Sequence, residues 1–186
     1  MNRKKIQIIK KGITDFDTDA IVNAANSRLR AGSGVCGAIF AEAGHAVLEK
    51  ACQEIGFCET GDAVITSGFD LKAKYIIHAV GPIWNGGRDN EPQLLYNSYA
   101  NSLKLAKEND IHSITFPLIS AGIFGYPKDR AWQTAIKACK DFLTQNNDYD
   151  MQIIFAVVED SIKELGERTL RELIVSSNLN RFDTLI

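Results

Sequence analysis

Two asparagines three residues apart, Asn23 and Asn26, belong to the run NAANSRLRAGSGVCG that ends at Gly37. A carboxamide both donates and accepts hydrogen bonds, which suits the hydroxyls of a ribose. Behind the asparagines, Gly32, Gly34 and Gly37 take side chains out of a ligand's path and permit positive φ. The run leads into a helical apolar pattern from Ala38, with Ile39, Ala43, Val47, Leu48 and Ala51 on one stripe. The free N–H groups and positive dipole end of a helix would therefore face the same point. Strand-to-helix connections usually take about 2–6 residues; this one is longer and dense in glycine, and it reads as a phosphate cradle.

A second stretch of the same kind is PLISAGIFGYP, Pro117 to Pro127. Ser120, Ala121 and Gly122 are small, so their N–H groups can curl into an anion-binding nest. Ile123 and Phe124 sit at its tip, where Phe124 either covers a sugar or base or folds back into the core. A third, GPIWNGGR from Gly81 to Arg88, reads as a turn with Arg88 in solvent. Two glycine loops of this type would hold a ligand with two phosphates between sugars.

Cys36 lies in the first of these loops. A thiol at a helix start has a lowered pKa, but a Cys–His mechanism needs a histidine in reach. His78 lies inside the apolar run IIHAV, His45 more than two helical turns away, and His112 ahead of a strand. Cys36 is therefore read as a backbone donor rather than a nucleophile. The four cysteines form no CxxC pair and no Cys/His group at zinc spacing, so free thiols, a reducing compartment and no metal are expected.

The elements that must position these loops are legible as apolar runs: Ile6–Ile9, Ala20–Val22, Ala63–Thr66, Tyr75–Val80, Ser113–Phe116 and Ile153–Val158. They are short, rich in β-branched residues and not strictly alternating, as in strands buried on both faces. Helical patterns lie between them. Asn90-Glu-Pro92 reads as a helix start, Pro127 as another, and Glu159 to about Val175 as the last helix. This alternation predicts a three-layer α/β/α sandwich with a largely parallel or mixed sheet. In such a sheet ligands bind outside the carboxyl ends of the strands, where the glycine loops lie.

The 186 residues suit one domain, taken as 1–186. A net charge of −2 gives no general pull toward nucleic acid or membrane. The basic N-terminus lacks the apolar stretch of a secretory signal, and nowhere do 18 apolar residues run together, so a cytoplasmic protein with no membrane contact is expected.

Taken together these segments resemble the macrodomain family, which binds ADP-ribose. Asp19–Asn26 (DAIVNAAN) resembles its first strand and loop, and Gly32–Gly37 its glycine-rich loop. Thr60–Thr66 and Ile77–Pro82 resemble its TGxAVIT and IHAVGP segments, and Phe116–Pro127 its second phosphate loop. The resemblance covers nearly the whole chain and implies a six-stranded mixed, largely parallel sheet. It implies that Asn26 bonds the distal ribose and carries the catalytic role. It implies a ligand-binding set of Ile13, Asn23, Ala24, Gly32, Gly34, Val35, Cys36, Gly37, Ser120, Ala121, Gly122, Ile123 and Phe124, with Gly34–Cys36 and Ser120–Phe124 gripping the diphosphate. ADP-ribose or O-acetyl-ADP-ribose and ADP-ribosylated proteins are the implied partners of a monomer that uses no cofactor.

Two departures from the family pattern stand out. Its hydrolase branch usually reads GVDGAIH, whereas here Cys36 replaces the aspartate and Phe40 the histidine. A neutral thiol is a poor base, although some viral macrodomains with a GVC loop are regarded as hydrolases that use the substrate's own phosphate. The family's adenine-reading aspartate is replaced by Gly12, leaving Asp15 or Asp17 to supply a carboxylate. The resemblance implies hydrolysis of ADP-ribosyl esters of acidic side chains or of O-acetyl-ADP-ribose. The alternatives are a non-catalytic reader of ADP-ribose or ADP-ribosylated protein and a binder of another nucleotide or of RNA.

Overall fold

The computed structural model describes residues 5–182, with side chains to Val175; the start of the basic N-terminus read above lies outside the described residues. Six strands form one sheet: β1 (Ile6–Lys10), β2 (Ala20–Ala24), β3 (Ala63–Ser67), β4 (Tyr75–Ala79), β5 (Ser113–Phe116) and β6 (Gln152–Val157). Their order is β1-β6-β5-β2-β4-β3. Every neighbouring pair is parallel except β3 with β4, so the sheet is mixed as expected.

Successive strand residues face opposite sides of the sheet, and here both sides are buried. Ile21, Ile76 and Ile154 pack with α1 (Gly34–Ala43) and α2 (His45–Ile55). Their neighbours Val22, Ile77 and Phe155 pack on the other side with α3 (Glu91–Glu108), α4 (Lys128–Gln145) and α5 (Asp160–Phe182). This two-sided burial is why the runs look continuous rather than alternating. At the amino end of the sheet, Asp19 ties β5 to β2: its Oδ2 accepts from the backbone N–H groups of His112 (3.0 Å) and Ser113 (2.9 Å) and from Ser113 Oγ (2.8 Å).

Three helix boundaries differ from the sequence reading, the last helix running on to Phe182 rather than ending near Val175. The first helix starts at Gly34 rather than Ala38, because Ser33 stands at the N-cap with extended backbone and the glycines let the first turn lie close against the loop. A Cβ on Gly37 would stand 2.6 Å from the Gly32 carbonyl oxygen. The stripe from Ile39 to Ala51 is also two helices, broken at Gly44, where φ is 93°.

In α5, Gly166 lies against the buried Trp132, where an added Cβ would approach ring atoms to 2.6 Å and Ile8 Cδ1 to 2.8 Å. Helix propensity alone would make Gly166→Ala stabilising by about 1 kcal/mol, but overpacking a tight core costs about 1–3 kcal/mol. We expect overpacking to win, lowering the urea midpoint. A midpoint at or above wild type would show that the indole yields without strain.

Candidate functional site

At the carboxyl ends of β2 and β5 the two glycine loops face each other across a cleft of about 320 Å³. Ala24–Asn26 and Gly32–Cys36 form one wall, and Pro117–Ser120 with Gly122–Phe124 the other, with Gly81 between them. A larger groove of about 780 Å³ lies between α4, α5 and the β1 edge, but none of its lining residues belongs to either loop.

The first wall is the amino end of α1. The N–H groups of Gly34, Val35 and Cys36 precede the first backbone bond of the helix, Gly37 N to Ser33 O (3.4 Å), and the first turn carries no acidic residue. Such an end favours an anion by its donors and its dipole. The second wall is a tight turn: Tyr126 N donates to Ser120 O (3.0 Å) and Gly125 N to Gly122 O (3.0 Å). Ser120 has a φ of 64°, rare for a residue with a side chain. Its buried Oγ has no partner among the described residues. Gly81 permits the close approach of the two chains here, since any Cβ on it would collide with Ser120 and Ile119.

Asn26 lies at the cleft, half-buried, with its amide fixed by its own loop. Nδ2 donates to Arg30 O (2.7 Å), and Arg30 N donates to Oδ1 (3.1 Å). This leaves one N–H of the amide to project from an already oriented group. Asn23 does not share that role. It is 1% exposed, it lies behind Cys36, and its Nδ2 reaches His78 Nδ1 (3.1 Å) and Cys36 Sγ (3.7 Å). With Nδ1 accepting, His78 donates from Nε2 to Thr66 Oγ1 (2.9 Å), which donates on to Ser67 O (3.2 Å). Burial lowers the His78 pKa to about 4, so the ring is neutral.

Cys36 corrects a second expectation. Its thiol pKa is raised, not lowered: burial outweighs the hydrogen bonds from Asn23 and Gly32. Desolvation of a thiolate exceeds what the helix end returns. His78 touches Asn23 rather than Cys36, so no nucleophile–base pair forms. Phe40 is 1% exposed and packs against His45 (5.6 Å between rings), away from the cleft.

Of the other expected ligand contacts, Ala24, Gly32, Gly34, Val35, Ser120, Gly122, Ile123 and Phe124 line the cleft. Ile13, Gly37 and Ala121 do not: Ile13 is buried under α1, Gly37 lies under the loop, and Ala121 packs toward the α3–α5 side. Sequence reasoning missed Ala25, Ser33, Gly81 and Pro117–Ile119 as lining residues. Gly81 carried the only usable signal, a Gly-Pro directly after a strand.

The second loop is held from behind by Glu91. Its Oε1 accepts from Asn85 N (2.8 Å) and Gly87 N (3.0 Å), and its Oε2 from Asp89 N (2.6 Å). This fixes the segment carrying Trp84, whose backbone N–H donates to Phe124 O (2.8 Å) and whose ring packs on Tyr126. Asn90 occupies the expected cap position but makes no side-chain cap bond; Glu91 orders the turn instead. Burial would raise the Glu91 pKa, yet hydrogen bonds from its own backbone, Asn85, Asp89 and Gly87 outweigh it and bring the value to about 2.

Two outcomes follow from these groups. The folded Glu91 pKa lies below its ordinary 4.5, so its contribution is complete above about pH 5 and fades toward pH 2. The stability gap between wild type and Glu91→Gln in urea titrations is therefore expected to close over that window; a constant gap would show that the charge is not what holds the turn. Iodoacetamide at pH 7.5 should label Cys36 at least about tenfold more slowly than an unstructured cysteine, read by peptide mass mapping. Equal rates would mean that the thiol is activated.

Comparison with known proteins agrees with this geometry. The family model described as Macro domain matches residues 22–135. An O-acetyl-ADP-ribose deacetylase from Cronobacter turicensis is 47% identical over 89% of this chain and 96% of its own length. An ADP-ribose glycohydrolase from Xenopus laevis is 45% identical over 91% of this chain, which spans 40% of that longer protein. The crystal structure of a Trypanosoma brucei macrodomain in complex with ADP-ribose superimposes with a TM-score of 0.83 at 34% identity, covering 89% of this chain and 68% of that one. With its mixed six-stranded sheet and its two facing glycine loops, this chain belongs to the macrodomain family.

Proposed function

We propose that this protein binds ADP-ribose and hydrolyses esters at its distal ribose, either the acetyl ester of O-acetyl-ADP-ribose or the ester joining ADP-ribose to an acidic side chain. The observation that carries the reading is the pairing of two backbone-donor loops across one cleft with the Asn26 amide on its wall. The α1 end and the Ser120–Phe124 turn take the diphosphate, and Asn26 orients the distal ribose. Both ester types release a carboxylic acid with consumption of one water, so one site serves both.

The chemistry must run without a protein base. Of the residues lining the cleft only Cys36 is ionisable, and burial keeps its thiol protonated at neutral pH. Water activation then falls to the substrate's own phosphate, while the protein positions the sugar and offers N–H groups to developing charge. The absence of a cleft carboxylate or imidazole also favours the second reading, a reader of ADP-ribosylated protein that binds without turnover.

The deciding experiment follows release of ADP-ribose from a protein mono-ADP-ribosylated on glutamate, and of acetate from O-acetyl-ADP-ribose. Wild type and Cys36→Ala should both turn over, and Asn26→Ala should lose about 100-fold or more in kcat, as expected when an orienting contact is removed. Binding without turnover would establish the reader. The wild-type kcat/KM should be flat from pH 6 to 8; a slope there would reveal an ionising group that the cleft does not contain. Base recognition falls to Asp15. A Cβ on Gly12 would stand 3.1 Å from Asp15 Oδ2, so this carboxylate occupies the space over the glycine. Asp15→Asn should weaken ADP-ribose about fivefold, the worth of one hydrogen bond, by calorimetric titration; unchanged affinity would remove Asp15 from the base site.

A further inference from the structure

The strand–helix loop that presents Asn26 has a second side. Arg28, Leu29 and Arg30 line a separate groove of about 560 Å³, whose opposite wall is Glu49, Gln53, Gly56 and Phe57 at the end of α2. The loop is built to aim two arginines outward. Leu29 is 2% exposed with a φ of 55°, a left-handed conformation that a leucine rarely takes. Leu29 N donates to Asn26 O (2.9 Å), and the buried leucine pins the turn while its two neighbours are exposed. Cys58 N donates to Ser27 O (2.9 Å), which ties the far wall of the groove to the loop.

The groove is cationic and open. Neither Arg28 nor Arg30 has an ion-pair partner among the described residues, and Glu49 is the only acidic residue lining it. Phe57, 54% exposed, adds an apolar surface beside the two guanidiniums. A guanidinium pairs well with carboxylates. The backbone of Arg30 holds both ends of the Asn26 amide, so one wall of the groove and Asn26 belong to the same hydrogen-bonded loop.

We propose that this groove seats the peptide flanking an ADP-ribosylated residue and selects acidic sequence there. The proposal rests on the hydrolase or reader function above, and it assigns the choice of protein substrate to Arg28, Arg30 and Phe57 rather than to the nucleotide cleft. A net charge of −2 on the whole chain makes this local patch, not a general field, the source of the selectivity.

The test compares three ligands: O-acetyl-ADP-ribose, which has no peptide, and two peptides ADP-ribosylated on glutamate, one with glutamate-rich flanks and one with serine-rich flanks. Binding and turnover are measured for wild type, Arg28→Glu and Phe57→Ala. Wild type should prefer the acidic peptide over the serine peptide, and Arg28→Glu should weaken the acidic peptide roughly three- to tenfold, through KM or Kd, as expected for reversing an exposed charge. Values for O-acetyl-ADP-ribose should not move. Equal losses on all three ligands, or no preference between the peptides in wild type, would overturn the groove assignment even with ADP-ribose binding intact. Loss of ADP-ribose binding by wild type would instead overturn the function on which it rests. Tighter binding of a single-stranded oligonucleotide than of the acidic peptide would overturn the assignment in favour of a nucleic-acid surface.

Discussion

The cleft depends on one close approach: the chain after β4 passes the chain after β5 with no room for a side chain at Gly81. At that contact Ser120 holds a left-handed backbone, and the Ser120–Phe124 loop faces the start of α1 across the cleft. On the α1 side the wall ends in main-chain N–H groups, which carry no titratable charge, and the facing loop is braced from behind by the Glu91 carboxylate through the Trp84 segment. Strained turns of this sort persist only where the surroundings over-determine them.

Charge is handled behind the walls rather than in them. Glu91 spends its carboxylate on three backbone donors and thereby sets the Trp84 segment against Phe124. His78 is buried and neutral, linking Thr66 to Asn23, which in turn touches the Cys36 sulfur. The result is a cleft lined by small residues and by apolar ones such as Leu118, Ile119, Ile123 and Phe124. A ligand that brings its own negative charge meets donors and a helix dipole there, and no opposing carboxylate. The same loop that carries Asn26 at the cleft carries Arg28 and Arg30 on the wall of a separate groove.

The strands were legible because short β-branched runs of three to six residues have few other uses, and all six were found within two residues of their ends. The two phosphate loops were legible because glycine-dense connections of that length are seldom needed merely to turn a chain. The boundary at Ala38 was misplaced because glycines count against a helix by propensity, whereas here they let its first turn lie on the loop. Gly44 was passed over because apolar spacing continues across the break, and only the backbone angle shows that two helices meet there.

Residue types and their spacing, by themselves, determined the layer architecture, the placing of the loops at strand ends, and Asn23 and Asn26 together as candidate sugar contacts; the resemblance to the macrodomain family singled out Asn26 and marked Cys36 and Phe40 as departures. Tertiary structure decided what each polar group faces. Asn23 and Asn26 look alike in sequence, but Asn23 is still within β2, in register with His78, and the two-residue alternation of a strand turns it to the buried α1 side. Asn26 lies two residues past the strand, where its own loop can bind and aim it. The direction of the Cys36 pKa was likewise undecidable from position at a helix start, since desolvation is set by neighbours brought from distant parts of the chain. Local sequence encodes backbone conformation and burial preference; the dielectric, the partner and the outlook of a side chain come from packing.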